Sequence, residues 1–231
     1  MIMAAVWTAP GHGSKREMFM GSPLRVEFLF DFGSPNAYLA EIALPAIESR
    51  TGVKFAYVPV LLGGIFKATN NMSPFESLRG IKNKPEYQKL ETERFIRRHN
   101  ITSFRPNPFF PVNTLMLMRG AVAARFENVF EPYFRAAYHH MWEVPKKMDD
   151  PEVFKAAFAS SGIDINRLIA RAQQDDVKKE LIKNTNDAVD RGAFGSPTFF
   201  VGEEMFFGKD QLRDVEESIV EQTAAAKLKS A

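Results

Sequence analysis

Val26-Glu27-Phe28-Leu29-Phe30-Asp31-Phe32, followed by Gly33-Ser34-Pro35-Asn36, is the stretch that decides the fold. The first seven residues are rich in sheet-favouring side chains and read as a buried strand. The apolar run Ala37 to Leu44 then reads as a helix. A strand that turns through Ser-Pro into a helix sets the Ser34 hydroxyl at the helix N-terminus. Unpaired N–H groups and the helix dipole favour an anion there. The chain contains no cysteine, so a thiolate held at that turn is borrowed from a bound molecule. Read alone, Ser34 serves equally as an ordinary helix cap.

Working outward, Val26–Phe32, a helix over Asn36–Ser49 and a second strand over Lys54–Val60 form a β-α-β unit. A unit of that length implies a right-handed crossover and parallel pairing. From about Ser73 to Asn184 the pattern is helical. It includes an amphipathic helix over Pro85–His99 with Tyr87, Leu90, Phe95 and Ile96 on one face. Helices are also expected over Asn113–Arg125, with Asn113 as cap, and over Asn128–Trp142. Another begins at Asp149-Asp150-Pro151, and the last two are set by Ile163-Asp164 and Gln174–Arg191. Thr198–Val201 and Met205–Phe207 flank Gly202-Glu203-Glu204 as a hairpin, and Lys209–Thr223 reads as a final helix. This order is an α/β, thioredoxin-like fold split by a large all-α insertion between its βαβ and αββα halves. Residues 24–66 and 185–227 make the thioredoxin-like domain, 67–184 the helical insertion, and 1–23 a disordered extension or an upstream start. Gly195-Ser196-Pro197-Thr198 just before a strand occupies the place where such folds carry a cis proline facing the βα turn.

Composition narrows the function classes. A formal charge of +2 is too small to argue for nucleic acid or a membrane surface. No stretch approaches the ~18 consecutive apolar residues of a membrane span. Zero cysteine excludes disulfides, thiolate metal sites and a Cys-Cys redox pair, and fits a cytoplasmic protein. His139-His140 lacks a carboxylate or Cys partner at ligand spacing, so no metal site is read. The basic run Arg94–His99 reads as a solvated helix face, and Arg119 as a surface or ion-pair residue.

Four stretches in order carry a resemblance: Phe30-Asp31-Phe32-Gly33-Ser34-Pro35, Gly64-Ile65-Phe66-Lys67-Ala68-Thr69-Asn70-Asn71, Phe110-Pro111-Val112-Asn113-Thr114-Leu115, and Gly192-Ala193-Phe194-Gly195-Ser196-Pro197-Thr198. From about Val26 to the C-terminal helix the chain resembles the 2-hydroxychromene-2-carboxylate isomerase family. That family belongs to the DsbA-like group it shares with kappa-class glutathione transferases. The resemblance implies glutathione as cofactor, a homodimer and a small aromatic substrate.

It also implies roles for particular residues. Ser34 is the catalytic residue, facing the glutathione sulfur. Ser34, Pro35, Asn36, Asn71, Ser196, Pro197, Lys209 and Asp210 hold the tripeptide. Lys67 and Asn113 are candidates for the substrate carboxylate, and Phe66 and Phe110, with Phe104 and Phe109, for an aromatic pocket. Plainer readings stand beside these. Asn71 also reads as a turn residue, Asp210 as a helix-start acid, Asn113 as a cap and Lys67 as a solvated lysine. Lys209 departs from the Ser-Asp pair of the kappa enzymes, and Met72-Ser73-Pro74 from their Arg/Lys-Pro-Pro. The implied reaction interconverts a cyclic hemiketal and an open enone by reversible thiolate addition. A kappa-like transferase or peroxidase acting on another electrophile is the nearest alternative, and a non-catalytic thioredoxin-like binding protein is the second.

Overall fold

The computed structural model describes residues 24–230, so the reading of residues 1–23 as an extension lies outside the described residues. Strand β1 (Val26–Phe30), helix α1 (Pro35–Thr51) and strand β2 (Phe55–Pro59) form the expected parallel crossover unit. Seven helices follow: α2 (Leu62–Thr69), α3 (Pro74–Ser77), α4 (Lys84–Arg98), α5 (Leu115–Phe126), α6 (Phe130–Trp142), α7 (Pro151–Ala157) and α8 (Ile165–Ala172). Helix α9 (Asp175–Asp190) returns the chain to the sheet, and the hairpin β3 (Thr198–Val201) and β4 (Glu204–Phe207) leads to α10 (Leu212–Ser230). The sheet order is β2-β1-β3-β4, with β1 parallel to β2 and antiparallel to β3. This is the thioredoxin-like arrangement with helices inserted between its halves.

All five β1 residues are buried because both faces of the strand are covered. Phe28 and Phe30 point into the larger core with α1, α5 and α6, while Leu29 packs with Val60, Ile65, Ala188 and Phe200 beneath α2 and α9. Phe28 stands in register between Tyr57 and Phe199, with ring centroids 5.4 Å from each. Cross-strand aromatic pairs of this kind pin the register of a sheet. Strand β1 therefore arrives at the Ser34 turn with no freedom to slip, since a one-residue shift would exchange its two faces.

Several boundaries differ from the sequence reading for local reasons. Strand β1 stops at Phe30 because the Asp31 and Phe32 N–H groups bond to Ser196 Oγ and Met118 Sδ rather than to a neighbouring strand. Helix α5 starts at Leu115 with Thr114 as its cap; Asn113 sits one residue earlier, its Oδ1 accepting from the Leu115 N–H at 3.0 Å. Lys209 and Asp210 belong to a 3₁₀ turn ahead of α10, not to its first turn. On α4 only Phe95 is buried; Tyr87 and Leu90, expected on the same face, are 51% and 47% exposed. Among the described residues no helix is long and apolar enough to cross a membrane, and no group of His, Cys, Asp and Glu is placed to hold a metal ion.

Candidate functional site

Ser34 caps α1 from an extended backbone conformation, and its Oγ accepts from the Ala37 N–H at 3.1 Å. Pro35 takes the first helical position, where a missing N–H costs nothing. The Asn36 N–H has no partner among the described residues. The cap reading of Ser34 is therefore realised, but the hydroxyl does more than cap. It also donates to the Ser196 carbonyl at 2.9 Å, joining the first and fourth of the quoted stretches. The Ser196-Pro197 bond is cis, as is Phe110-Pro111.

The buried Asp31 carboxylate holds this turn in place. Its two oxygens accept from the N–H groups of Gly33 and Leu62, both at 2.8 Å, and it is also hydrogen-bonded by the Thr114 side chain. The Asp31 N–H donates to Ser196 Oγ at 3.2 Å. One residue thus ties the βα turn to the start of α2, to the segment before α5 and to the cis-proline loop. Burial pushes the Asp31 carboxyl above its usual range, while the Gly33 and Leu62 N–H groups and Thr114 pull it back. The sequence reading quoted Asp31 but assigned it no role. The available signal was an acid set in an otherwise apolar strand, because buried carboxylates are rare without dedicated donors. Trp142 was likewise missed: its indole N–H donates to the Phe32 carbonyl at 2.8 Å.

Gly33 is required by close approach. A Cβ at that position would lie 2.9 Å from Thr114 Cγ2 and 3.3 Å from Asp31 Oδ1. Gly33→Ala is expected to push Thr114 off Asp31 and cost about 1–3 kcal/mol, the usual range for overpacking. The urea midpoint measures this; a midpoint equal to that of the wild type would remove Thr114 from the support of the turn.

The other sequence-derived candidates fall into three groups. Beside the turn lie Pro197, whose carbonyl accepts from Gly208 N–H at 2.9 Å, and Asn71, whose Nδ2 donates to the Phe194 carbonyl at 2.8 Å. These bonds bring the end of α2 and the Lys209-Asp210 turn to the cis-proline loop. Lys209 itself is only 4% exposed, with Nζ donating to both Asp210 oxygens at 2.8 and 2.6 Å and lying 5.0 Å from the Phe95 ring centroid. Asp210 is therefore paired with a buried lysine, not set against a helix end.

On the insertion side, Phe110 contacts the rings of Trp142 and Phe75, with centroids at 6.2 and 6.0 Å. Phe109 is exposed, whereas Phe104 is stacked between Tyr38 and Trp142 and belongs to the core. The remaining candidates are looser. Asn113 is exposed, though its neighbour Thr114 touches the turn. Lys67 is exposed on α2 with no ion-pair partner among the described residues, and half-buried Phe66 makes no ring contact there.

The site is thus a serine hydroxyl at a helix start, facing a cis-proline loop, with the N–H groups of Asn36 and Ser196 unpartnered among the described residues. Donors without partners beside a helix N-terminus suit an anionic or peptide-like ligand. The chain belongs to the DSBA-like thioredoxin domain family, whose model matches residues 25–220. Within it, the chain is similar to a 2-hydroxychromene-2-carboxylate isomerase of Sphingobium xenophagum, 28% identical over 196 residues, covering 85% of this chain and 98% of the relative. It is also similar to glutathione S-transferase kappa 1 of Caenorhabditis elegans, 24% identical over 200 residues and covering 81% and 87% of the two chains. A solved structure of a 2-hydroxychromene-2-carboxylate isomerase superposes with a TM-score of 0.72 at 25% identity, over 88% of this chain and 98% of the other. The oxidoreductase DsbA of Xylella fastidiosa shares the fold, with a TM-score of 0.57 at 16% identity over 89% of each chain. The present chain has no cysteine, hence no redox pair of its own.

Proposed function

We propose that this chain is a glutathione-dependent isomerase. It would interconvert 2-hydroxychromene-2-carboxylate-type hemiketals and trans-o-hydroxybenzylidenepyruvate-type enones. The observation that carries this reading is the Ser34 hydroxyl, bound to the Ser196 carbonyl beside unpartnered main-chain donors in a chain without cysteine. The donor set fits a cysteinyl peptide: a hydroxyl for the sulfur, and the N–H and C=O of Ser196 for main-chain pairing. Bound glutathione supplies a nucleophilic sulfur that adds reversibly to the enone and is regenerated.

A free thiol has a pKa near ~8.5, so little of it is ionised at neutral pH. The Ser34 hydroxyl, the Asn36 N–H and the α1 dipole all favour the ionised form. Serine suits this work because it donates without ionising or oxidising itself. Pro35 and Pro197 shape the cleft, and Asn71, Lys209 and Asp210 hold the rest of the tripeptide. Lys67 and Asn113 take the substrate carboxylate, with Phe66 and Phe110 lining the aromatic side. The reading extends to a thioredoxin-like domain of residues 24–66 and 185–227 with an insertion of 67–184, to a homodimer, and to the cytoplasm.

Similarity to a kappa transferase supports a second reading, in which the conjugate is released. Calorimetry followed by a turnover assay tests both. Glutathione is expected to bind, and the chromene carboxylate to be converted while the free-thiol titre stays constant. Stoichiometric loss of thiol would assign the transferase reading. Absence of binding would leave a non-catalytic member of the fold.

A further inference from the structure

The Ser34 hydroxyl carries one proton, and in the ligand-free chain that proton is already engaged. Oγ donates it to the Ser196 carbonyl at 2.9 Å while accepting from the Ala37 N–H at 3.1 Å. Ser34 and Ser196 are 4% and 8% exposed, so bulk water is not at hand to replace either bond. The Ser196 carbonyl accepts from no other group among the described residues. A buried carbonyl stripped of its only donor is costly. The hydroxyl therefore cannot turn toward a sulfur without leaving Ser196 unsatisfied.

The loop cannot shift to relieve that cost. Ser196 Oγ accepts from the Asp31 N–H at 3.2 Å and donates to the Leu29 carbonyl at 3.3 Å, which fixes the residue against β1. The Ser196 N–H, meanwhile, has no partner among the described residues. Ser196 therefore presents an open donor next to an acceptor held by a replaceable partner. An extended peptide pairs with such an edge through its own N–H and C=O.

We infer that a thiol ligand gains the Ser34 hydrogen bond only when it brings an N–H of its own to the Ser196 carbonyl. The ligand's amide then takes over as donor to that carbonyl, and the hydroxyl turns to the sulfur. No covalent bond changes at Ser34: its proton stays on Oγ throughout, and the proton lost by the thiol goes to solvent. The ligand class is thereby narrowed to a thiol flanked by an amide N–H, as in a cysteinyl peptide, and simple mercaptans are disfavoured. This rests on the proposal that Ser34 faces the glutathione sulfur.

The test compares glutathione with an analogue whose cysteinyl N–H is replaced by an ester oxygen, which keeps the shape and removes the donor. Calorimetry establishes binding of each, and ultraviolet thiolate absorbance titrates each bound thiol. In the wild type the thiol of bound glutathione is expected to titrate about one pH unit below that of the bound ester. In Ser34→Ala the gap is expected to close. Equal titration of the two bound ligands in the wild type would overturn the inference while leaving the glutathione reading intact, and it needs no variant to fold. A gap that persists in Ser34→Ala would also overturn it. Failure of glutathione itself to bind would overturn the glutathione reading, and the inference with it.

Discussion

Ser34→Ala is expected to lower turnover about 10- to 100-fold while leaving glutathione affinity within about threefold of the wild type. A hydrogen bond to a charged group contributes about 1.5–3 kcal/mol, and each 1.4 kcal/mol is a factor of ten in rate. Affinity holds because truncation frees the Ser196 carbonyl, which the hydroxyl occupies at 2.9 Å, for the ligand's own N–H. The same change removes the α1 cap, since Oγ also accepts from the Ala37 N–H. That loss costs about 1 kcal/mol of stability. Steady-state kinetics beside a denaturant midpoint separate the two effects. Turnover equal to that of the wild type would take Ser34 out of the chemistry and leave it as a cap.

The parts of the site legible in the sequence were those written locally. Ser34-Pro35 announces a strand-to-helix turn, and Ser196-Pro197 before Thr198–Val201 announces the facing loop; the structure joins them by one hydrogen bond. What escaped was non-local. The partners that make Asp31 tolerable arrive from Leu62, Thr114 and Ser196, and no spacing rule connects those positions. Lys209 reads as a surface helix residue because its cover, Phe95, comes from the far side of the insertion. Tyr87 and Leu90 carry a correct helical period, but periodicity marks a face without saying whether anything packs on it. The offset at Asn113 has a simpler cause: Asn and Thr are both good caps, and adjacent ones compete.

The largest loss of stability is expected from Gly120→Ala. Gly120 on α5 faces the ring of Tyr133 on α6, and a Cβ there would overlap the Tyr133 hydroxyl and lie 2.6 Å from its Cζ. Tyr133 has no room to retreat. It is fully buried, its ring is stacked on Phe158 with centroids 4.8 Å apart, and its hydroxyl donates to the Leu117 carbonyl at 2.9 Å. Overpacking costs about 1–3 kcal/mol, and breaking that hydrogen bond strands a buried hydroxyl and carbonyl at about 1–3 kcal/mol more. A total of about 3–5 kcal/mol follows, lowering Tm by roughly 10 °C in a chain of this size. The effect should reach the site, because the ring of Phe32, two residues before Ser34, lies 6.2 Å from that of Tyr133. Adding Tyr133→Phe to Gly120→Ala removes the overlapping hydroxyl and is expected to recover part of the loss, so thermal melts of the single and double variants form the measurement. A Gly120→Ala melt within about 1 °C of the wild type would mean that α5 and α6 yield more readily than a close-packed interior allows.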